Sequence, residues 1–255
     1  KRDIDRATKE KPKEINFTGG EPTIRRDIFD LICYARDKAK EIRVTTNGRM
    51  FSDINFTKKI VDAGLTGAIF SIHSPDPKIH DYLVQVNGAF KQAIQGLGSL
   101  KKFTDNIDVN VVINKLNYKS LPELTYMLFD KYDVRSICFI YPDIDGNLLK
   151  NLWLIPEYSK VSRYLCRSLD IVEKFNKTAW SLNIPPCFLK GYEKYSSLYE
   201  LKTKIFWPGM DTDLDKKRRE EKVKPEQCKS CKYNSICYGI SKRYIESVSY
   251  THLRA

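Results

Sequence analysis

The chain has 255 residues, of which 42% are hydrophobic and 12% aromatic, and it carries a formal net charge of +12. This length suits one large domain, or one domain with a smaller second one, and the composition can build a hydrophobic core. No apolar run approaches the roughly 18 residues of a membrane-spanning helix, so we expect no membrane span. Residues 1–14 are charged where a secretory signal would be apolar, so we expect a cytoplasmic protein.

The positive charge allows two interpretations, a polyanionic partner such as RNA or a lysine-rich solvated surface. The basic residues are spread along the chain, and the densest run, residues 215–227, interleaves acids with bases. This pattern favours the solvated surface, so nucleic-acid binding is not expected.

Short β-rich segments alternate with helical segments through the N-terminal part of the chain. The predicted strands are 14–18, 42–46, 67–73, 107–114 and 135–141. Between them apolar residues recur at helical spacing, as residues 28, 31, 32 and 35 do. This alternation predicts βαβ units, a parallel sheet and an α/β fold.

The alternating pattern stops near residue 150, which we predict to be a domain boundary. Residues 1–150 then form the α/β domain, and residues 151–247 form a smaller, cysteine-rich domain. Residues 248–255 continue no earlier pattern, and we expect them to be a non-native tail.

Each predicted strand ends in residues that do not suit a core. These ends are residues 18–22, 45–48, 71–74, Asn114 and 141–142. Ligands of parallel sheets gather at the carboxyl ends of the strands, so we expect one polar site along this edge.

The first strand end has the sequence Gly19-Gly20-Glu21-Pro22. Glycines let a ligand approach the backbone, and Pro22 holds Glu21 in an extended conformation. Backbone carbonyls and a carboxylate are hydrogen-bond acceptors, which suit an ammonium group and not a phosphate. A tight turn without a ligand is the alternative interpretation.

The seven cysteines fall into two sets. Cys33, Cys138 and Cys166 lie within apolar patterns, and we expect them to be small buried side chains. The other set has metal-ligand spacing, and its members are Cys228, Cys231, Cys237 and, as the candidate fourth ligand, Cys187. Zinc and a [4Fe–4S] cluster both accept four thiolates, so the spacing leaves both possible.

Three motifs in chain order resemble the radical S-adenosylmethionine (radical SAM) superfamily. They are GGEP after a strand, VTTNG at the end of the next strand, and a serine-containing third strand followed by His80-Asp81. The spacing Cys187…Cys228-x2-Cys231-x5-Cys237-x-Gly resembles the auxiliary-cluster extension, of twitch or SPASM type, found in many of these enzymes. The resemblance spans residues 14–245 and implies a partial parallel (β/α)6 TIM-like barrel that lacks its first strand.

The resemblance also implies ligands and a reaction. In this family the GGEP motif contacts the amino group of SAM, and polar residues at later strand ends contact the rest of it. The residues that match are Gly19, Gly20, Glu21 and Pro22, followed by Thr46, Asn47 and Ser71. The four cysteines would hold an auxiliary [4Fe–4S] cluster. A second, SAM-binding cluster, reduced by a low-potential electron donor, cleaves SAM to a 5′-deoxyadenosyl radical that abstracts hydrogen from substrate, of which peptides and proteins are one class.

The sequence departs from this family in one respect, because no CxxxCxxC motif precedes GGEP. We therefore expect an N-terminally truncated chain that is inactive alone, with the SAM-binding cluster present only in the full-length parent. Two other functions stay open, a zinc-binding basic module that binds RNA and a non-catalytic relative that keeps the fold.

Overall fold

A computed structural model describes residues 1–196, 203–207 and 210–247. One parallel sheet contains six strands, paired in chain order. These strands are β1 (Glu14–Phe17), β2 (Glu41–Thr46), β3 (Gly67–Ser71), β4 (Ile107–Val112), β5 (Ser136–Ile140) and β6 (Thr178–Leu182). The helices before and between them are α1 (Arg2–Thr8), α2 (Ile28–Ala35), α3 (Ile54–Asp62), α4 (Pro77–Val84), α5 (Ala89–Lys101), α6 (Leu121–Asp130) and α7 (Tyr158–Lys174).

Shorter elements follow the large sheet. Strand β7 (Lys204–Trp207) pairs with β8 (Met210–Asp213) in a small two-stranded ribbon. Strands β9 (Lys222–Val223) and β10 (Ile240–Ser241) form a second ribbon, which is antiparallel. Helix α8 (Leu214–Glu220) lies between the two ribbons in sequence, and α9 (Lys242–Ser247) follows them.

All five predicted strands are confirmed, and so is the α/β class. The sheet also contains a strand that the sequence analysis did not predict, β6, which pairs beside β5. Its sequence Thr-Ala-Trp-Ser-Leu alternates between exposed and buried positions at most of its residues, a weak signal over only five residues.

The two sides of β2, β3 and β4 differ in chemistry. On one side Val44, Phe70 and Val109 are fully buried. The opposite side, which we call the open side, carries partly exposed residues, namely Asn16, Thr45, Ile69, Ser71 and Asn110. Successive residues of a strand point to opposite sides, so one side supplies core and the other is free to meet a ligand.

On the open side, buried charged residues form a network that lies from Thr45 towards the amino end of β2. The Asp108 carboxylate accepts hydrogen bonds from Arg43 (2.6 Å), Arg135 (2.6 and 2.9 Å) and the Ser136 hydroxyl (2.6 Å). The Arg43 side chain also lies 3.4 Å from Glu14. Because Arg43 is only 2% exposed, its charge depends on these carboxylates.

The chain divides into two compact units. The first comprises Lys1–Val111, Met127–Ile137 and Phe206–Met210, and the second comprises Val112–Tyr126, Cys138–Ile205 and Asp211–Ala255. The domain boundary predicted near residue 150 stays a prediction, and the predicted tail, 248–255, lies outside the described residues. Within the described ranges, no helix has the length and apolar character needed to cross a bilayer.

The expectation that Cys33 is buried is wrong. Helix α2 buries Ile28, Ile32 and Ala35, and Cys33 lies about 100° around the helix from Ile32. Its side chain is therefore exposed, whereas Cys138 and Cys166 are partly buried.

Candidate functional site

The predicted site residues at the ends of β1 and β2 are joined through the Glu21 carboxylate. Oxygen Oε1 accepts hydrogen bonds from the Thr23 amide (3.1 Å), the Thr23 hydroxyl (2.6 Å) and the Thr46 hydroxyl (2.8 Å). Oxygen Oε2 accepts one from the Asn47 amide (2.7 Å). The carboxylate therefore ties the turn after β1 to the turn after β2.

The turn after β2 continues this hydrogen-bond chain. The Gly48 amide donates to the Thr46 hydroxyl (3.0 Å), and the Arg49 amide donates to Asn47 Oδ1 (3.0 Å). Arg49 Nε then donates to Gln92 in α5 (2.6 Å). Residues 46–49 are thus held by side chains from two other elements.

Gly19 and Gly20 face open space. A Cβ atom built on either residue would meet no other atom within 4 Å, and both residues are exposed. Pro22, by contrast, is buried and begins a short 3-10 helix, Pro22–Ile24. The backbone of the two glycines is therefore accessible while the residue that anchors the turn is not.

Ser71 is the last residue of β3 and lies beside Asn110 of β4 in the sheet register. Both side chains are on the open side, and neither has a hydrogen-bond partner among the described residues. The structure therefore places Ser71 on the same side as Asn16 and Thr45, which hydrogen-bond to each other at 3.0 Å, and no described contact links it to Glu21.

Two histidines lie directly after β3. The His73 amide donates to His80 Nδ1 (3.2 Å), and the two rings stack with centroids 5.8 Å apart. Burial lowers the pKa of His73 to about 4, and the neighbouring His80 adds to this effect. Burial also lowers the pKa of His80, so both imidazoles are neutral at pH 7.

The four predicted metal-binding cysteines line one cavity of ≈ 460 Å³ in the second unit. Cys187 reaches it from the short 3-10 helix Pro186–Phe188, and the others come from the segment between β9 and β10. Pro185, Phe188 and Ile240 add apolar surface to its wall.

The electrostatics of this cavity follow from burial and from thiols that face one another. Burial, then the charges of Cys237, Cys231 and Cys228, raises the pKa of Cys187 to about 12. Burial likewise raises the pKa of Cys228 and Cys237. Such thiols lose their protons when a metal binds, because the positive charge of the metal stabilises the thiolate.

Gly239 holds Cys237 from the backbone, with its amide donating to Sγ at 3.3 Å. A Cβ atom at residue 239 would lie 2.0 Å from the Val223 carbonyl oxygen, so the close approach of β9 requires glycine here. Lys224, which follows β9, also lines the cavity and donates to the Asn234 carbonyl.

No three His, Cys, Asp or Glu side chains among the described residues are arranged to hold one metal ion. The sulfurs of a tetrahedral Zn–S₄ site would lie ~3.8 Å apart, given Zn–S bonds of about 2.3 Å. The four thiols line one cavity, and their donor chemistry suits zinc and a [4Fe–4S] cluster alike.

Comparison with known proteins identifies the N-terminal half of the chain. The family profile of the Radical SAM superfamily matches residues 1–126, which include the GGEP turn, both ends of β2 and Ser71. Residues 1–126 are a radical SAM domain. The prediction of this domain from its motifs is confirmed.

Two curated relatives of the radical SAM domain have different activities in their names. An AdoMet-dependent heme synthase of Nitratidesulfovibrio vulgaris is 31% identical over 43% of this chain and 30% of its own length. A probable GTP 3′,8-cyclase of Sulfolobus acidocaldarius is 28% identical over 62% of this chain and 56% of its own length. The chain thus spans about a third to about half the length of these relatives.

The fold matches solved structures across most of the chain. SuiB of Streptococcus suis, bound to S-adenosylmethionine, has a TM-score of 0.64 at 15% identity and covers 94% of this chain and 64% of its own. The same protein bound to the precursor peptide SuiA covers 98% of this chain and 67% of its own, with a TM-score of 0.64 at 14% identity. The predicted partial-barrel fold is therefore confirmed.

Sequence reasoning missed three groups of residues near the site. Thr23 was not recognised as a Glu21 partner, although it lies two residues away, where local side-chain to backbone bonds are common. Asn110 was also missed, although the alternation Asp108-Val109-Asn110 places it on the open side. The third is Lys224, which gives no signal before its surroundings are known, whereas Gly239 is part of the predicted Cys237-x-Gly motif.

Proposed function

We propose that the whole protein is a radical SAM enzyme, with the SAM site at the ends of β1, β2 and β3. The main observation behind the proposal is that the backbone of Gly19 and Gly20 is accessible and lies beside a turn that Glu21 holds in place. Open acceptor groups at the carboxyl edge of a parallel sheet suit the ammonium group of an amino acid. Thr46, Asn47 and Ser71 are proposed to hold the rest of the ligand.

A reduced [4Fe–4S] cluster would supply the electron that cleaves bound SAM. Residues 1–255 contain no CxxxCxxC motif for such a cluster. The reaction is therefore a proposal for the whole protein, and we propose that this chain is inactive alone. The contribution of the radical SAM domain is to bind and orient SAM and to keep water from it.

We further propose that Cys187, Cys228, Cys231 and Cys237 hold an auxiliary [4Fe–4S] cluster in a twitch- or SPASM-like domain. The four thiols line one cavity, whose wall is otherwise mainly apolar. Thiolates are the ligands of such clusters, and an apolar wall limits solvent access, which helps to set the reduction potential. With four protein ligands, this cluster would serve electron transfer or structure, because no iron would be left open for substrate.

The substrate is proposed to be a peptide or protein. The open side of the strands supports this, because the partly exposed polar residues towards its carboxyl edge, Asn16, Thr45, Ser71 and Asn110, are uncharged hydrogen-bonding groups that suit amides. A polyanion would call for accessible cations, and the arginines of the network described on this side, Arg43 and Arg135, are already paired with Asp108. SuiB, which shares the fold, is bound to a precursor peptide in one of its structures.

Anaerobic reconstitution with iron and sulfide tests the cluster. We expect a brown protein with about four irons per chain, and iron loss in Cys228→Ser and Cys231→Ser. Cys33→Ser is the matched control, because Cys33 is exposed and lies outside the cavity, so it should keep the iron. A colourless protein with one zinc would contradict the cluster and favour the zinc-binding RNA module.

Equilibrium dialysis with labelled SAM tests the other half of the proposal. The whole protein, loaded with its clusters, should bind SAM, and Asn47→Ala should weaken binding. Binding that is absent in the loaded protein would overturn the proposed SAM site and leave a non-catalytic relative as the better description.

A further inference from the structure

Residues 141–145 directly follow β5, and we call them the β5 turn. The turn lies at the carboxyl edge of the parallel sheet, where ligands of such sheets bind. Ile144 is 3% exposed and anchors the turn, whereas Asp143 and Asp145 are exposed. Among the described residues, the one backbone hydrogen bond within the turn joins the Asp145 amide to the Asp143 carbonyl (2.9 Å). The shape of the turn therefore depends on side chains that reach it from other elements.

Arg243 contacts the β5 turn directly from α9. Its guanidinium donates to the Ile144 carbonyl at 2.7 Å and lies 3.2 Å from the Asp145 carboxylate. The hydrogen bond from the Gly146 amide, followed by the one from Arg243, lowers the pKa of Asp145 below its usual range. One side chain therefore holds both the backbone and a charged side chain of the turn.

Lys222 reaches the same turn through Asn183, which follows β6. Lys222 donates to Asn183 Oδ1 at 3.1 Å. Asn183 Nδ2 then donates to Asp143 Oδ1 (2.9 Å) and to the Tyr141 carbonyl (3.1 Å). Because Lys222 pairs with the last residue of β10, just before α9, both contacts with the turn start from the same end of the β9–β10 ribbon.

The other end of this ribbon leads into residues 224–239, which we call the cysteine segment because it carries three of the four cavity thiols. None of residues 224–239 is buried, and each strand of the ribbon has only two residues. A short two-stranded ribbon is at best marginally stable in water, so the segment needs another source of stability. In small metal-binding segments that source is the metal, whose binding free energy becomes folding free energy.

We propose that metal binding at the four cavity cysteines fixes the β5 turn through the β9–β10 ribbon, with Arg243 and Lys222 as the positioning residues. The metal holds one end of the ribbon together, and the two side chains at its other end then meet the turn in one arrangement. The inference rests on the cysteine metal site proposed above, and it applies to zinc and to a [4Fe–4S] cluster alike. It gives the metal an effect on the carboxyl edge of the sheet that needs no electron transfer.

The first test compares backbone amide exchange in the full chain, metal-free and loaded either with Zn²⁺ or, anaerobically, with iron and sulfide. The reporters are the amides of Asp145, Gly146 and Leu148, which donate within or just after the turn. Metal should slow their exchange by about tenfold or more, because a hydrogen bond from a charged group then holds the turn. The double variant Cys228→Ser/Cys231→Ser should exchange at the metal-free rate with or without added metal.

Arg243→Ala tests the route of this effect. The loaded variant should keep its metal but exchange at the metal-free rate at the three reporters, and the Arg243 side chain is 51% exposed, so the chain should still fold. Lys222→Met should raise exchange by a smaller factor, because Asn183 keeps its own bonds to the turn. Lys242→Ala is the matched control, since Lys242 is the exposed neighbour of Arg243 and its side chain makes no bond to the turn among the described residues.

The second test measures Zn²⁺ affinity by competition with a chelator. Coupling between two sites is reciprocal, so a contact that forms fully only with metal bound must add to the metal affinity. Arg243→Ala should therefore weaken Zn²⁺ binding by about the same factor by which it changes exchange, although Arg243 does not line the cavity. Lys242→Ala should leave the affinity unchanged.

The two proposals fail in different ways. If the wild-type chain takes up neither zinc nor iron, the metal site is wrong and the coupling is wrong with it. If metal is taken up but exchange in the β5 turn does not change, or slows equally in Arg243→Ala, the metal site stands and the positioning role is wrong.

Discussion

At the residue scale, one buried carboxylate balances two arginines. Replacing Asp108 by asparagine would leave Arg43, which is 2% exposed, without its closest counter-charge at 2.6 Å. We expect Asp108→Asn to lower the free energy of unfolding by about 3–5 kcal/mol, the usual cost of breaking a buried ion pair. Urea unfolding measures this.

Asp105→Asn is the control for that substitution. Asp105 pairs with Lys101 at 2.8 Å, but its side chain is 89% exposed. Exposed pairs contribute about 0.5 kcal/mol or less, so the two variants should differ by several kcal/mol. Equal effects would contradict the role given to the buried network.

The pKa of Asp108 also gives this network a pH dependence. Burial alone would raise the pKa, but hydrogen bonds from Arg135 and the charge of Arg43 lower it below its usual value. A lowered folded-state pKa adds stability above the unfolded value of about 3.9, and that stability is lost as pH falls through the folded-state pKa.

His73 should titrate far below an ordinary histidine. Burial lowers its pKa to about 4, so folding favours the neutral imidazole. The corresponding stability is present above the unfolded pKa of about 6.5 and declines as pH falls from there towards 4. An NMR titration of the His73 ring should give a midpoint near 4, and a midpoint between 6 and 7 would contradict its burial.

At the element scale, helix α5 contains two glycines with opposite surroundings. A Cβ atom at Gly96 would lie 2.2 Å from the Gly48 carbonyl oxygen, whereas one at Gly98 would meet nothing within 4 Å. We expect Gly96→Ala to destabilise the protein and to displace the turn that contains Asn47. Gly98→Ala should add about 0.5–1 kcal/mol, because alanine favours helix.

Thermal unfolding of both variants checks this pair, with SAM affinity as a second measurement. A melting temperature that rises in both variants would mean that α5 does not press against the turn at Gly48. Since both substitutions are chemically identical, the comparison isolates the effect of that contact.

The sequence predicted the strands of the repeating βαβ pattern better than the strands that lie outside this pattern. Each of the first five strands has apolar or β-branched residues and is flanked by a helical pattern, and these two signals agree. Strand β6 is no shorter than β1, but two of its five residues are exposed, so its apolar pattern gave no comparable signal. Local patterning also could not predict the small ribbon β9–β10, in which each strand has two residues.

The sequence predicted where the candidate site lies, but it did not predict the hydrogen bonds between its residues. Polar strand ends placed Gly19, Thr46 and Ser71 along one edge, because parallel strands share a direction. The hydrogen bonds from Thr46 and Asn47 to Glu21 join residues 25 and 26 positions apart, so they depend on the sheet register. No pattern within a single segment contains that information.

At the scale of the whole molecule, the two compact units are interleaved along the chain. Residues 112–126 and 138–150 belong to the second unit, most of which follows residue 150. A fragment ending at residue 150 would also lack β6. Strand β5 would then still pair with β4, but its other edge would be exposed without a partner strand. Tyr141 would lose Tyr158, whose ring lies 4.0 Å away in a stacked arrangement.

We therefore expect the 1–150 fragment to aggregate or to unfold without a cooperative transition. Circular dichroism during heating and size-exclusion chromatography measure this, with the whole chain as the reference. A monomeric fragment with a sharp transition close to that of the whole chain would contradict this expectation and support a domain boundary near residue 150.

The two-sided chemistry of strands β2–β4 has a consequence for how new specificities can arise. Substitutions at Val44 or Phe70 alter packing and are removed by selection for stability, whereas Ile69 and Asn110 are partly exposed on the open side, where a new side chain disturbs less packing. Mutations can therefore accumulate at these two positions without eroding the scaffold, provided that the buried Arg43–Asp108 pair on the same side is kept. A library randomised at Ile69 and Asn110 alone would explore substrate recognition while most of its members still fold.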